Sequence, residues 1–242
     1  MPKEKLQEPY VSKYCEVGDF IVWEVDGRYI RNNMDREFTN FGQHYRFKFI
    51  PKMEFWIDKP QTPGEEKLFI SHLIKEWDLM DLGMGYPHAL EIADKLEQKE
   101  RIKTKLMERI KTEIPDPKKE IPKELYVHKL EKYSKEADVW IVKGELVRGL
   151  YFIDFTEGGH HFVYDFVPVN EVWIDDDLSP SERGFIILHE LHERFLMAQG
   201  MEYHKAHLSS SIIEYKCRRN PGLLEDSLTK EFAKNETISS LV

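Results

Sequence analysis

Cysteine is nearly absent: Cys15 and Cys217 are the only two, and they lie far apart. They build no disulfide framework, and they exclude a cysteine-based zinc finger or an iron–sulfur centre. Free thiols fit a reducing cytosol. Long apolar runs are also missing; none approaches the ~18 residues that a membrane span requires. The opening MPKEKLQEPY has no apolar core of a signal peptide. A soluble cytoplasmic protein is therefore expected. No Gly-rich phosphate loop and no Gly-x-Ser-x-Gly elbow occurs. Positive charge is in deficit, with 35 Lys and Arg against 44 Asp and Glu and a net charge of -9. Phosphate binding needs a concentrated basic face, so this balance argues against a nucleic-acid coat. What the 242 residues do hold is 41% hydrophobic and 12% aromatic side chains, enough for a real core.

The chain repeats itself. Shifted by 117 residues, VWEVDGRYIR from Val22 lies on VWIVKGELVR from Val139. Phe38 to Asp58 lies on Phe155 to Asp175, and His72 to Ala89 on His189 to Ala206, without a gap. About 29 of the 80 aligned positions from Val22 to Arg101 are identical. Two copies are too few for a solenoid. A tandem duplication is expected instead, forming a monomer with an internal pseudo-dimer of approximate two-fold symmetry. Residues 1–112 form the first repeat and 125–220 the second. Between them, 113–124 form a linker rich in Pro115, Pro117 and Pro122, which favours an extended connector. Residues 221–242 read as a tail without counterpart, either a short helix or frayed.

Each repeat begins with alternating apolar residues and glycine turns (DFIVWEVDGRYIR, FTNFGQHYRFKFIP, MEFWID), a pattern that predicts antiparallel strands. Pro63 or Pro180 then opens a helix, with Thr62 or Ser179 as N-cap and Glu65 or Glu182 in the first turn. The helix stops at Gly83 or Gly200, and a second starts near Tyr86 or Tyr203. The fold class is α+β: an antiparallel sheet followed by an αα-hairpin, twice.

The sharpest string is HELHE, His189 to Glu193, within FIILHELHERFLM. His189 and Glu193 stand at i and i+4, on one helix face about 6 Å apart. The surrounding residues are apolar nearly all round, so these polar groups are expected to be buried and either paired or bound to metal. Counted about Gly200, Glu193 lies seven residues before the turn and His207 seven after it, at similar height in an antiparallel hairpin. Glu214 lies two turns beyond His207, level with His189. His189, Glu193, His207 and Glu214 are thus candidate ligands of one ion. Two imidazoles with one or two carboxylates suit Zn²⁺, with Mn²⁺ or Fe²⁺ also possible. Glu190 would stand beside it as a base for water.

The pair His189–Glu190 and the helix that carries it resemble the zincin metallopeptidases, whose HExxH helix supplies two ligands and a general-base Glu. The fourth-turn residue departs from that pattern, being Glu193 instead of His. The strand EVWID before the motif helix also resembles the zincin order of elements, which implies an edge strand on which a peptide lies. HELHE followed by GMxYxxAH looks like small metallopeptidase-like proteins of phages and prokaryotes.

Comparing the copies sharpens the reading. Both hold the His/Glu pair (His72 with Glu76, His189 with Glu193), Glu97 or Glu214, and Tyr86 or Tyr203. Only the second holds Glu190, His192, His204 and His207, where the first has Leu73, Lys75, Pro87 and Leu90. The first then reads as a decayed copy that kept the scaffold. Blander readings stand beside these. His192 reads as packed or hydrogen-bonded, and His204, His160 and His161 as surface. Trp56 and Trp173 read as core, and Asp175 to Asp177 as a solvated loop. Two functions follow. One is a metal-dependent, peptidase-like hydrolase acting on a peptide or protein, with Glu190 as base and Tyr203 or His192 stabilising the oxyanion. The other is a non-enzymatic viral or mobile-element interaction protein whose His/Glu pairs only hold the hairpins.

Overall fold

The computed structural model describes residues 7–114, 116–117 and 119–238. The first six residues, Pro115 and Lys118 of the linker and the last four of the tail lie outside the described residues. The chain divides into two compact units, Met1–Glu113 and Ile114–Val242.

In the first unit the order is β1 (Tyr10–Val17), β2 (Phe20–Val25), α1 (Gly27–Asn33), β3 (Phe41–Gln43), β4 (Glu54–Asp58), α2 (Glu66–Asp81), α3 (Tyr86–Arg101) and α4 (Lys105–Glu113). The second unit repeats that order: β5 (Tyr126–Lys129), β6 (Asp138–Val142), α5 (Gly144–Leu150), β7 (Gly158–His160), β8 (Glu171–Asp175), α6 (Arg183–Ala198), α7 (Tyr203–Arg219) and α8 (Leu224–Glu236). Two α+β units with the same order bear out the duplication.

The sheets run β1-β2-β4-β3 and β5-β6-β8-β7. Their outer pairs are antiparallel, as expected, but the central pairs are parallel, with Trp23 opposite Trp56 and Trp140 opposite Trp173. Parallel neighbours need a crossover, and here a short helix and the third strand supply it. Period-two alternation says which residues face the core and nothing of strand direction. The helix explains a second difference. DGRYIR reads as a turn into a strand, yet Asp26 accepts a hydrogen bond from the Tyr29 amide at 2.9 Å and caps α1. Gly27 and Gly144 are where this helix meets the last strand. A Cβ there would fall 1.9 Å from Asp58 Oδ2 and 2.2 Å from Asp175 Oδ1, so only glycine fits. Asp175 is accordingly not in a solvated loop. It is buried and bonded to Arg148 at 2.5 Å, as Asp58 is to Arg31 at 2.9 Å.

The long helices begin later than Pro63 and Pro180 suggest. Their N-cap positions fall at Glu65 and Glu182, not at Thr62 and Ser179. A tight turn precedes α6, with the Glu182 amide donating to the Ser179 carbonyl at 2.9 Å, and both acids are buried. The predicted stops hold. Gly83 and Gly200 adopt φ of 90° and 85°. The amides of Met84 and Met201 reach back to Leu79 and Leu196 at 3.0 and 3.1 Å, closing each helix with a left-handed glycine.

Of the two readings of the tail, the helix holds over the described residues 221–238. Leu228 and Phe232 of α8 join the core made by β6, β8 and α6. Asn235 donates to the Leu191 carbonyl at 3.0 Å and accepts from Arg194 at 2.7 Å, tying α8 to α6. The linker also docks, since Tyr151 donates to the Pro117 carbonyl at 3.0 Å. Trp56 and Trp173 are core residues, 2% and 0% exposed. Among the described residues no helix is long and apolar enough to cross a membrane.

Candidate functional site

Helices α6 and α7 form the predicted hairpin, and the register counted about Gly200 holds. His207 Nδ1 lies 3.0 Å from Glu193 Oε2 and 3.2 Å from His189 Nε2. The third edge, His189 Nε2 to Glu193 Oε2, is 3.7 Å. Ligand atoms about 2.0–2.2 Å from a tetrahedral ion lie about 3.3–3.6 Å apart; the three edges, 3.0, 3.2 and 3.7 Å, straddle that range, so shifts of a few tenths of an ångström would bring the triangle to one face of such a site. The three residues could hold a metal ion.

Glu214 is not a fourth corner. It lies 2.8 Å from Nδ1, the other ring nitrogen of His189. A carboxylate has no proton to give, so Nδ1 carries it and Nε2 is presented to the triangle. Carboxylates that orient a ligand histidine in this way are a recurrent feature of metal sites.

One participant was not expected. His160, read as a surface residue, is fully buried at the end of β7, with Nε2 3.2 Å from Glu193 Oε1. His160, Glu190 and Glu193 form a second group able to hold a cation. Position 160 matches Gln43, whose amide donates to Glu76 Oε1 at 2.5 Å. The exchange of an amide for an imidazole at matched positions was the available sequence clue.

The duplicate units can be overlaid residue by residue. In the second, Arg218 bonds Glu182 at 2.5 Å and Glu214 at 2.7 Å. Glu214 then meets His189, His189 meets Glu193, and Glu193 meets His160. In the first, Arg101 bonds Glu65 and, at 2.7 Å, Glu97. Glu97 meets His72 at 2.9 Å, His72 meets Glu76 at 3.5 Å, and Glu76 meets Gln43. A buried polar chain of six residues therefore recurs at the 117-residue offset. The second unit adds to it the imidazoles of His160 and His207 and the carboxyl of Glu190. The first has Gln43, Leu90 and Leu73 there.

Electrostatics within the site follow from burial set against pairing. Burial opposes a charge on His189, but Glu193 and Glu214 outweigh it and lift the ring to about 10, so a cation entering the triangle would have to displace the Nε2 proton. Glu193 is likewise opposed by burial, yet His160, His189 and His207 hold its carboxyl well below the usual range. Burial pushes Glu190 up to about 8, and the charge of Glu193 adds to this. Burial drives His160 downward despite Glu193, keeping its ring neutral. Glu190 Oε2 is buried without a hydrogen-bond partner among the described residues.

The remaining candidates separate. His192 faces Glu231 at 3.0 Å and Ser209 at 3.0 Å, bridging α6 to α8 and α7. Both ring nitrogens are engaged outside the cluster, which removes it from an oxyanion role. His204 is exposed, as expected. Tyr203 sits at the cluster's rim, its ring 5.5 Å from that of His207. The strand EVWID is not an edge: β8 lies between β6 and β7, so the peptide-binding edge implied by the zincin likeness is covered. Beside the cluster opens a groove of about 530 Å³ lined by Tyr151, Phe152, Phe162, Tyr164, Phe166 and Tyr203, with Val163 and Asp165. Compared with family models, curated proteins and solved structures, the chain matches none.

Proposed function

We propose that the second unit is a metal-dependent hydrolase with peptidase-like chemistry. The triangle of His189, Glu193 and His207 carries this reading, with edges of 3.2, 3.0 and 3.7 Å. Nitrogen and oxygen donors in this number suit zinc best, with manganese or iron as alternatives. Zinc bound by such residues supplies Lewis acidity, acidifying water and polarising a carbonyl. Glu214 holds His189 in the required tautomer, and His160 holds Glu193. With a cation held by the triangle, the Glu190 carboxyl would be drawn down from about 8, and the carboxylate would then accept the proton of the attacking water at its unpartnered oxygen and return it to the leaving amine. Tyr203, at the rim, donates its hydroxyl proton in a hydrogen bond to the carbonyl oxygen as charge builds there.

A second reading is favoured by the recurrence of the six-residue chain in the first unit, where no His207 exists. There the polar chain is scaffold alone, and the protein serves as a non-enzymatic interaction platform. Metal analysis of untagged protein separates the two. The hydrolase reading expects one zinc per chain and a melting temperature lowered by chelator. Glu190→Gln should keep fold and metal while slowing peptide hydrolysis by about 10² or more. No metal, no chelator effect and equal destabilisation by His72→Ala and His189→Ala would leave only the scaffold.

A further inference from the structure

The two units treat one aromatic pocket in opposite ways. In the first, the Arg46 guanidinium lies 5.1 Å from the centre of the Phe47 ring and 5.0 Å from that of Tyr86. Lys48 lies 5.0 Å over Tyr45. The matched residues of the second unit are Val163, Tyr164, Tyr203, Asp165 and Phe162. The backbone is the same in both. The Phe47 and Tyr164 amides donate to the carbonyls of Gln43 and His160 at 2.9 and 3.0 Å, and those of Ile50 and Val167 close the next turn at 3.0 Å. The rings therefore persist, while the side chain that covered them becomes a valine too short and apolar to replace it. Two positive charges, Arg46 and Lys48, give way to one negative charge, Asp165. The groove of about 530 Å³ lies at this place.

We propose that this groove takes the cationic side chain of a peptide ligand, a guanidinium or alkylammonium, where the first unit lays its own Arg46. Aromatic faces attract such cations through their quadrupole, most strongly when water is excluded, and Asp165 adds a full opposite charge at the mouth. The Tyr203 wall adjoins His207, so the bound side chain would belong to a residue near the bond presented to the cluster. That last link rests on the hydrolase reading; the cation site does not.

The test uses the full-length protein with EDTA present, so that metal chemistry plays no part. Acetyl-Ala-Arg-Ala-amide and its citrulline analogue, which has nearly the same shape without the charge, are titrated by NMR. The arginine peptide should bind at least tenfold more tightly. Val163→Arg should fill the groove from within and weaken binding at least tenfold, while Val163→Leu retains it. Asp165→Lys, exposed and remote from the core, should weaken binding several-fold and serves if Val163→Arg fails to fold. Equal binding of the two peptides, or undiminished binding by Asp165→Lys, overturns the proposal. Zinc-dependent cleavage without preference for arginine would overturn the cation site and leave the hydrolase. Arginine-selective binding without metal-dependent cleavage would do the reverse.

Discussion

The isolated histidine of the first unit makes the most direct quantitative test of the polar chain. His72 is 2% exposed. Its Nδ1 lies 2.9 Å from Glu97 and 3.6 Å from Asp94, both on α3. Its Nε2 lies 3.5 Å from Glu76 on its own helix, and β3 presents only the Phe41 ring, at 5.0 Å. Burial alone would discharge the ring, yet Glu76 and Glu97 outweigh it and raise its pKa from 6.5 to about 9. A group with a raised folded-state pKa contributes stability that is complete below the unfolded value and vanishes above the folded one. The window is therefore pH 6.5 to 9. The distance from 6.5 to about 9, at ~1.4 kcal/mol per pH unit, gives about 3.5 kcal/mol, of which about 2 kcal/mol survives at pH 7.5. Urea unfolding of wild type and His72→Gln across this range reads the effect, because titrating groups remote from His72 cancel in the difference. The stability gap should be about 3 kcal/mol wider at pH 6 than at pH 9.5. An NMR titration of the ring should give a midpoint near 9. A midpoint near 6.5, or a gap independent of pH, would refute the balance of burial against pairing.

Three further outcomes are expected. Glu214→Gln should weaken zinc binding by about 10- to 100-fold, because His189 loses the carboxylate that orients it; equilibrium dialysis reads this. Gln43→His combined with Leu90→His should give the first unit its own triangle and a second zinc per chain by mass spectrometry. Asn235→Ala should cost about 1–3 kcal/mol in thermal unfolding, since buried Arg194 loses an acceptor and the Leu191 carbonyl a donor.

The helical half of each unit was legible because helix geometry is rigid. A rise of 1.5 Å per residue and one glycine stop suffice to bring His207 level with Glu193. The sheet was legible only as composition. Val22 and Trp56 announce strands, but the parallel pairing of β2 with β4 depends on a crossover that DGRYIR disguises as a turn. That topology carries β7 to the side of α6, and without it His160 looks like one more residue in a glycine-rich loop. The role of α8 was hidden for another reason. Leu228 and Phe232 face a core built by distant segments, and no repeat in the sequence marks them.

The recurrent chain from Glu182 to His160, with its twin from Glu65 to Gln43, acts as a mutational ratchet. Its five shared members, Glu182 to Glu193 in one unit and Glu65 to Glu76 in the other, lie against charged neighbours, so losing any one strands the next, at a cost of about 3–5 kcal/mol for a broken buried pair. No single substitution dismantles it cheaply, whether or not an ion is ever held there. The positions added in the second unit have no such hold on the fold. Leu90 fills in the first unit the place that His207 takes in the second, and either residue is compatible with the same hairpin. Gain or loss of chemistry can therefore proceed by exchange at Gln43/His160, Leu73/Glu190 and Leu90/His207, while the frame that would orient a ligand is carried along in both copies.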